Sequence, residues 1–311
     1  MSKSNGKSNQ KSNGKSDSKS EAVKGSLIII GGHEQKEGDT VILREVVRRA
    51  KEGKGLVLVT VATNEPEELA NDYRKAFSEL GLKDIDVLDI RTREEARDPE
   101  NVKKVMKSSV VFFTGGDQLR ITSQVGDSPI FTCLHDIFSN GGTIVGTSAG
   151  AAAMSGTMLV SGRGDETVEI SAIGMAPGLR LLPDVVVDTH FAERGRIGRL
   201  VGAVAQNPAN LGIGIDEDTA IIVNGEEDFT VIGSGGVYVV DGTNINYSSL
   251  SEAKPVGAPS IFGVKLHILG EGDIYDLVNR EPVFSGEEAD AEVDMSAEPE
   301  RELVGVNDDE K

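Results

Sequence analysis

A single cysteine in 311 residues, Cys133, leaves no partner for an internal disulfide and too few thiolates for a cysteine-rich zinc site. Tryptophan is absent and aromatic residues make up 4% of positions, so any core must be built from aliphatic side chains. Histidine is scarce as well, and imidazole chemistry has only His33, His135, His190 and His267 to draw on. Positive charge is in deficit. Against 51 Asp+Glu stand 32 Lys+Arg, a formal net charge of −19, and such a surface repels duplex DNA and anionic lipid. No apolar run approaches the roughly 20 residues of a membrane-spanning helix. The N-terminal lysines are followed by no apolar segment of the secretory kind. These shortages point to a cytoplasmic protein with neither nucleic acid nor membrane as a partner.

Charge is spread unevenly. Residues 1–25 carry six lysines against Asp17 and Glu21 in a near-repeat of Lys, Ser, Asn and Gly. They offer almost nothing to bury and read as a disordered tail. Residues 285–311 read as an acidic, mobile tail, with eleven acids and two bases between Glu287 and Lys311. Between them, residues 26–284 are expected to form one α/β body, which stays acidic without its tails.

Within that body, apolar runs alternate with stretches of helical spacing. Ser26–Ile30, Gly55–Val61, Asp86–Ile90, Ser109–Phe113 and a run from Thr143 ending at Gly146 read as strands. Thr40–Lys51, Glu67–Leu80, Glu100–Lys107, Leu119–Gly126 and Ile130–Asn140 read as helices. This alternation predicts a mostly parallel sheet covered on both faces. After Asp184 short apolar runs crowd together, and the second half is expected to be richer in strands.

Strand ends of such a sheet are where sites assemble. Gly146-Thr147-Ser148-Ala149-Gly150 ends one strand and opens an alanine-rich helix, the G-x-S-x-G pattern of a nucleophile elbow in its proper context. Small neighbours permit a tight turn that pushes the serine out at a helix N-terminus, where backbone N–H groups can receive an oxyanion. An ordinary small-residue turn would give the same pentapeptide. A serine nucleophile needs a base. His135 lies in a helical pattern and His267 in an apolar stretch, both structural settings, and His33 follows Gly31-Gly32 and has only its position to recommend it. His190 ends an apolar run beside Asp188 and suits a base, although a lone histidine is more often structural. His190 and Glu193 have an H-x-x-E spacing, but no second histidine stands at helical spacing, so it does not read as a metal site. Arg194, Arg196 and Arg199 follow closely. They form either a carboxylate-binding fork or a solvated basic helix face. Asp216-Glu217-Asp218 is either a solvated loop or the source of a carboxylate that orients the histidine or receives a substrate cation. Gly115-Gly116 lacks the Gly-Lys-Ser/Thr sequel of a phosphate loop. Gly31-Gly32 lacks dinucleotide spacing and could instead turn backbone N–H groups toward a substrate.

Taken together and in order, Ile30-Gly31-Gly32, Phe113-Thr114-Gly115-Gly116-Asp117-Gln118, Gly146–Ala151, Asp188-Thr189-His190-Phe191 with its arginines, and Gly214–Ala220 resemble the cyanophycinases, serine exopeptidases related to the aspartyl dipeptidases. The resemblance runs from about Ser26 to about Leu269 and leaves out both tails. It implies a three-layer α/β/α, flavodoxin-like sandwich akin to class I glutamine amidotransferases. It further implies a homodimer, no cofactor, and cyanophycin (a poly-aspartate backbone bearing arginine) cut to β-Asp-Arg dipeptides. By motif, Ser148 would be the nucleophile, His190 the base and Glu217 its orienting carboxylate. Gly116, Asp117 and Ala149 would supply oxyanion-hole amides. Gln118, Asp188, Thr189, Arg194, Arg196 and Arg199 would line the substrate pocket, with acids expected there for the substrate guanidinium. Thr189 stands where that family usually has glutamine. This keeps open a peptidase for free aspartyl dipeptides or other isopeptides, and a silent ligand-binding homologue is the reading from another class.

Overall fold

The structure, a computed structural model, describes residues 24–161, 173–225, 227–250 and 259–284. The expected tails at 1–25 and 285–311 lie outside it, apart from Lys24 and Gly25. Strands β1 (Ser26–Ile30), β2 (Leu56–Val59), β3 (Ile85–Leu88), β4 (Val110–Phe113) and β5 (Thr143–Thr147) come first in the chain. Among them lie α1 (Val41–Glu52), α2 (Pro66–Glu79), α3 (Pro99–Lys107), α4 (Gln118–Val125) and α5 (Pro129–Ser139), and α6 (Ala149–Ala153) follows β5. After it run β6 (Thr157–Ser161), β7 (Gly174–Pro177), β8 (Val185–Thr189), α7 (Ile197–Gln206), β9 (Leu211–Ile215), β10 (Thr219–Asn224), β11 (Asp228–Gly233) and β12 (Val237–Asp241). The short strands β13 (Tyr247–Ser248), β14 (Ile261–Phe262), β15 (Lys265–Leu269), β16 (Ile274–Asp276) and β17 (Glu281–Val283) complete it.

The central sheet runs β17-β16-β11-β10-β1-β5-β4-β2-β3. Its body, β1-β5-β4-β2-β3, is parallel, and β10, β11, β16 and β17 extend it with antiparallel pairings. Side chains alternate faces along a strand, and here both faces are apolar. Leu27, Ile29, Val57, Val59, Val111 and Phe113 pack into one cluster with residues of α3, α4, α5 and α6. Ile28, Ile30, Leu56, Leu58, Val110 and Phe112 pack into another with Leu43, Val46, Tyr73 and Phe77 of α1 and α2. That produces the three layers. Local signals set the helix starts: Asp98 caps α3 and Ser128 caps α5 through side-chain bonds to Glu100 and Phe131 N–H, each followed by proline.

Two features differ from the sequence reading. The strand from Thr143 does not stop at Gly146 but runs on to Thr147, which pairs with Ile30. The strand-rich second half also builds a separate four-stranded sheet, β15-β12-β9-β8, as well as lengthening the first. Its inner residues Val185, Val187, Ile213 and Val239 join the core cluster on the α3–α6 side. α7 covers its outer face through Leu200, Ala203 and Val204 against Val186 and Val240. Periodicity alone could not show this split, because both sheets use the same short apolar runs.

Candidate active site

The C-terminal end of β1 is where the two sheets meet. Three successive carbonyls there accept three backbone N–H groups: Ile30 from Ser148 (3.0 Å), Gly31 from His190 (2.9 Å) and Gly32 from Asp218 (2.9 Å). Ser148, His190 and Asp218 all sit at positive φ, at 52°, 49° and 49°, and His33 joins them at 48°. Non-glycine residues in this region cost on the order of 1–3 kcal/mol each and persist where surrounding bonds dictate them. β1 supplies those bonds.

Ser148 is the turn between β5 and α6. The turn is tight because a Cβ on Gly146 would lie 2.5 Å from the Gly150 carbonyl. Its hydroxyl meets His190 Nε2 at 2.9 Å, and His190 Nδ1 meets Glu217 Oε1 at 2.7 Å. Ser148 and Thr147 come from the first sheet, His190 from the end of β8, and Glu217 from the loop after β9. Gly32 makes this meeting possible: a Cβ there would lie 2.3 Å from His190 Cε1.

Burial lowers the His190 pKa. The Glu217 hydrogen bond works against this, while the Arg194 charge adds to the lowering, so the ring is neutral near pH 7 and able to accept a proton. Burial alone would raise the Glu217 carboxyl, but hydrogen bonds from His190 and His33 outweigh it and hold the group below the usual range.

The acidic triplet divides its work. Asp216 accepts Ala192 N–H (2.8 Å) and Gly236 N–H (3.0 Å), and Asp218 accepts Gln35 N–H (2.9 Å) and the Ser234 hydroxyl (2.9 Å). Only Glu217 turns to the imidazole.

A cavity of about 260 Å³ opens beside Ser148, lined by Gly116, Gln118, Ala149, Leu159, Val160, Asp188, Thr189, Arg194, Arg196 and Arg199 among others. The residues of the substrate set therefore share one cavity. Asp188, 2% exposed, is enclosed by the arginines: it accepts Arg199 Nε (2.6 Å), Arg199 Nη2 and Arg196 Nη1 (3.2 Å). Arg196, at the start of α7, and Arg199, within it, are thus no solvated helix face, whereas Arg194 precedes the helix and is exposed. Burial pushes the Arg196 guanidinium down to about 10, so it keeps its charge near neutrality, and its buried Nε has no hydrogen-bond partner among the described residues. Among the described residues, the acids expected to receive a guanidinium do not appear in this lining. The one carboxylate among the described lining residues, Asp188, is occupied by arginine, and this part of the cavity favours anions. Gln118 is held by a 2.6 Å bond from its Nε2 to the Leu159 carbonyl.

The Asp117 amide already donates to the Ala62 carbonyl at 3.0 Å, and its carboxylate caps α4 through Leu119 N–H. His135 Nε2 meets the Leu179 carbonyl at 3.0 Å, and His267 lies on β15 against Tyr275, both structural settings as expected. Sequence reasoning missed one neighbour of the site, Glu34, and had only position to go on for another, His33. Glu34, 5% exposed, accepts the Thr147 hydroxyl at 2.7 Å and also the Tyr73 hydroxyl, bracing the elbow from below. His33 Nδ1 reaches the second oxygen of Glu217 at 2.9 Å. For Glu34 the sequence offered only its place just past a glycine-ended strand, with no sign of its burial. For His33 only its place beside the same crevice hinted at a role.

Comparison with known proteins places the chain among relatives. The chain is 37% identical to the cyanophycinase of Nostoc sp. over 262 residues, covering 84% of this chain and 88% of that one. It is 36% identical to the cyanophycinase of Geminocystis herdmanii over 263 residues, covering 84% and 97%. A crystal structure of a peptidase from an acI-B1 actinobacterium shares the fold, with a TM-score of 0.63 at 20% identity over 82% of this chain and 98% of that one. The model of peptidase family S51 matches residues 27–231. On that match and those identities, the chain belongs to peptidase family S51.

Proposed function

We propose that this chain is a serine exopeptidase that hydrolyses cyanophycin to β-Asp-Arg dipeptides through an acyl-enzyme on Ser148. The observation that carries the reading is the unbroken Ser148–His190–Glu217 chain of contacts at the mouth of an arginine-lined cavity. His190 Nε2 takes the Ser148 proton as the hydroxyl oxygen attacks the scissile carbonyl carbon. Glu217 holds the Nδ1–H and balances the imidazolium that forms. The oxyanion is received by the N–H of Ala149, at the start of α6, and by that of Gly116. Asp117, expected to supply a further amide, does not do so here, since its N–H donates to the Ala62 carbonyl at 3.0 Å. Collapse of the tetrahedral intermediate releases the amine, which carries off the proton from His190. Water, activated by the same ring, then cleaves the ester.

Arg194, Arg196 and Arg199 bind substrate carboxylates, for which Arg196 Nε, without a partner among the described residues, is a donor, and Asp188 fixes two of the three arginines. A cavity below the roughly 300–1,000 Å³ of drug-sized ligand pockets takes one end unit of a polymer, which favours cutting from a chain end. The proposal includes a homodimer working in the cytoplasm. Leu266 and Ile268, 47% and 65% exposed on β15, offer an apolar strip for such pairing, and light scattering should give twice the 32.9 kDa chain mass. Among the described residues no helix is long and apolar enough to cross a membrane.

Incubation with cyanophycin granules is the test. Wild type should release β-Asp-Arg, and Ser148→Ala should release none while folding normally. Cleavage of free dipeptides alone would replace the substrate. Retained hydrolysis by Ser148→Ala would reject the nucleophile.

A further inference from the structure

Glu217 carries two imidazoles, and the second has no part in the hydrolysis described above. His33 Nδ1 lies 2.9 Å from Oε2 and His190 Nδ1 lies 2.7 Å from Oε1 of the same carboxylate. The rings meet edge to face with centroids 5.0 Å apart. Ligand atoms of all three residues fall within 4.8 Å of one another. His33 is exposed over 71% of its side chain, so the group opens to solvent on that side. Glu193, whose carboxylate accepts the Glu217 N–H at 3.2 Å, adds a second negative charge to the surroundings.

Two histidines and one carboxylate form a donor set suited to zinc, with a fourth position left for water. Each Nδ1 already points at the carboxylate, so an ion between them needs little side-chain movement. We propose that His33, His190 and Glu217 form an inhibitory zinc site that shuts the hydrolase off reversibly. The proton balance gives the reason. In the active arrangement His190 holds its proton on Nδ1, facing Glu217, and offers the Nε2 lone pair to Ser148. A zinc ion bonded to Nδ1 needs the lone pair on Nδ1, so the proton leaves that nitrogen and a neutral ring must carry it on Nε2. That nitrogen then donates toward Ser148 and cannot accept from it. His33 makes the same exchange, moving its proton to its solvent-facing nitrogen. No proton is lost overall and nothing is oxidised. The ion is therefore a brake on the base, not a cofactor, and His33 is the residue that turns a catalytic pair into a chelate.

The experiment titrates chelator-treated full-length protein with zinc, following heat by calorimetry and hydrolysis in parallel. Wild type should bind one zinc per chain with matching loss of activity, EDTA should restore the rate, and magnesium at equal concentration should do neither. His33→Asn, which tolerates the positive φ at that position, should weaken zinc binding at least tenfold, with inhibition measured against its own zinc-free rate. Glu217→Gln should weaken it too. Ser148→Ala should bind zinc as wild type does. This arm needs no turnover, so the zinc site and the assigned nucleophile fail separately. Unchanged heat and rate up to millimolar zinc, or His33→Asn binding as tightly as wild type, would overturn the proposal.

Discussion

Gly32→Ala adds one methyl group at the most constrained point of the site. Its carbon would stand 2.3 Å from Cε1 and 2.6 Å from Nε2 of His190, where ordinary contact begins at 3.4 Å. The imidazole must therefore retreat by about 1 Å, and a displacement of that size at a reacting group can cost about 10²-fold in rate. The 2.9 Å contact with Ser148 is lost in the process. The alanine must also adopt a φ of 108°, which adds on the order of 1–3 kcal/mol of backbone strain. Gly272→Ala separates the two effects. It also forces a positive φ, 86°, but its Cβ meets nothing within 4 Å and it lies away from the site. Urea unfolding should show both variants destabilised, Gly32→Ala the more because the clash with His190 adds to the strain they share. Initial rates on cyanophycin should show Gly32→Ala slowed about a hundredfold or more and Gly272→Ala close to wild type. If Gly32→Ala kept a third of the activity, the imidazole would not be where this reasoning needs it.

Other outcomes follow from the same contacts. With chelator present, kcat/KM should fall on the acid side with a midpoint below 6.5, because His190 must be neutral to act and its folded pKa is lowered. For the same reason the His190 contribution to stability is intact above pH 6.5 and is lost as pH falls from there through the folded value, which urea titrations at two pH values would detect. Glu217→Gln should leave the fold in place and cut kcat by several orders of magnitude, since an amide can hold the ring in the wrong tautomer; a loss under tenfold would contradict the orienting role. Asp188→Asn strands two mostly buried arginines and should cost about 3–5 kcal/mol in denaturant unfolding. Arg196→Ala should raise KM more than it lowers kcat if the side chain only binds substrate, as steady-state kinetics on defined oligomers would reveal.

The elbow was legible in the sequence because small residues, a strand and a helix must coincide there, and the histidine because an apolar run ends on it. The parallel body of the sheet was readable for a similar reason: Leu27 through Ile30 are apolar on both faces, as only a doubly covered strand requires. The second sheet and the division of labour among Asp216, Glu217 and Asp218 were not readable. Three adjacent acids look alike until the backbone aims them, and positive φ at Asp218 decides that aim. Glu34 was hidden by the opposite circumstance. A lone carboxylate next to polar residues looks solvated, and only the fold reveals that Tyr73 and Thr147, far apart in the chain, close over it.

The three carbonyls at the tip of β1 have a consequence for how the protein is made. They emerge first from the ribosome, yet the groups they hold arrive one after another: the serine, then the imidazole, then the loop bearing the acid. A nascent chain therefore stays chemically inert until β9 and β10 have left the exit tunnel and docked. Cleavage anywhere between Ser148 and Glu217 that lets the later strands drift would return the molecule to that silent state, even with every reacting group still present.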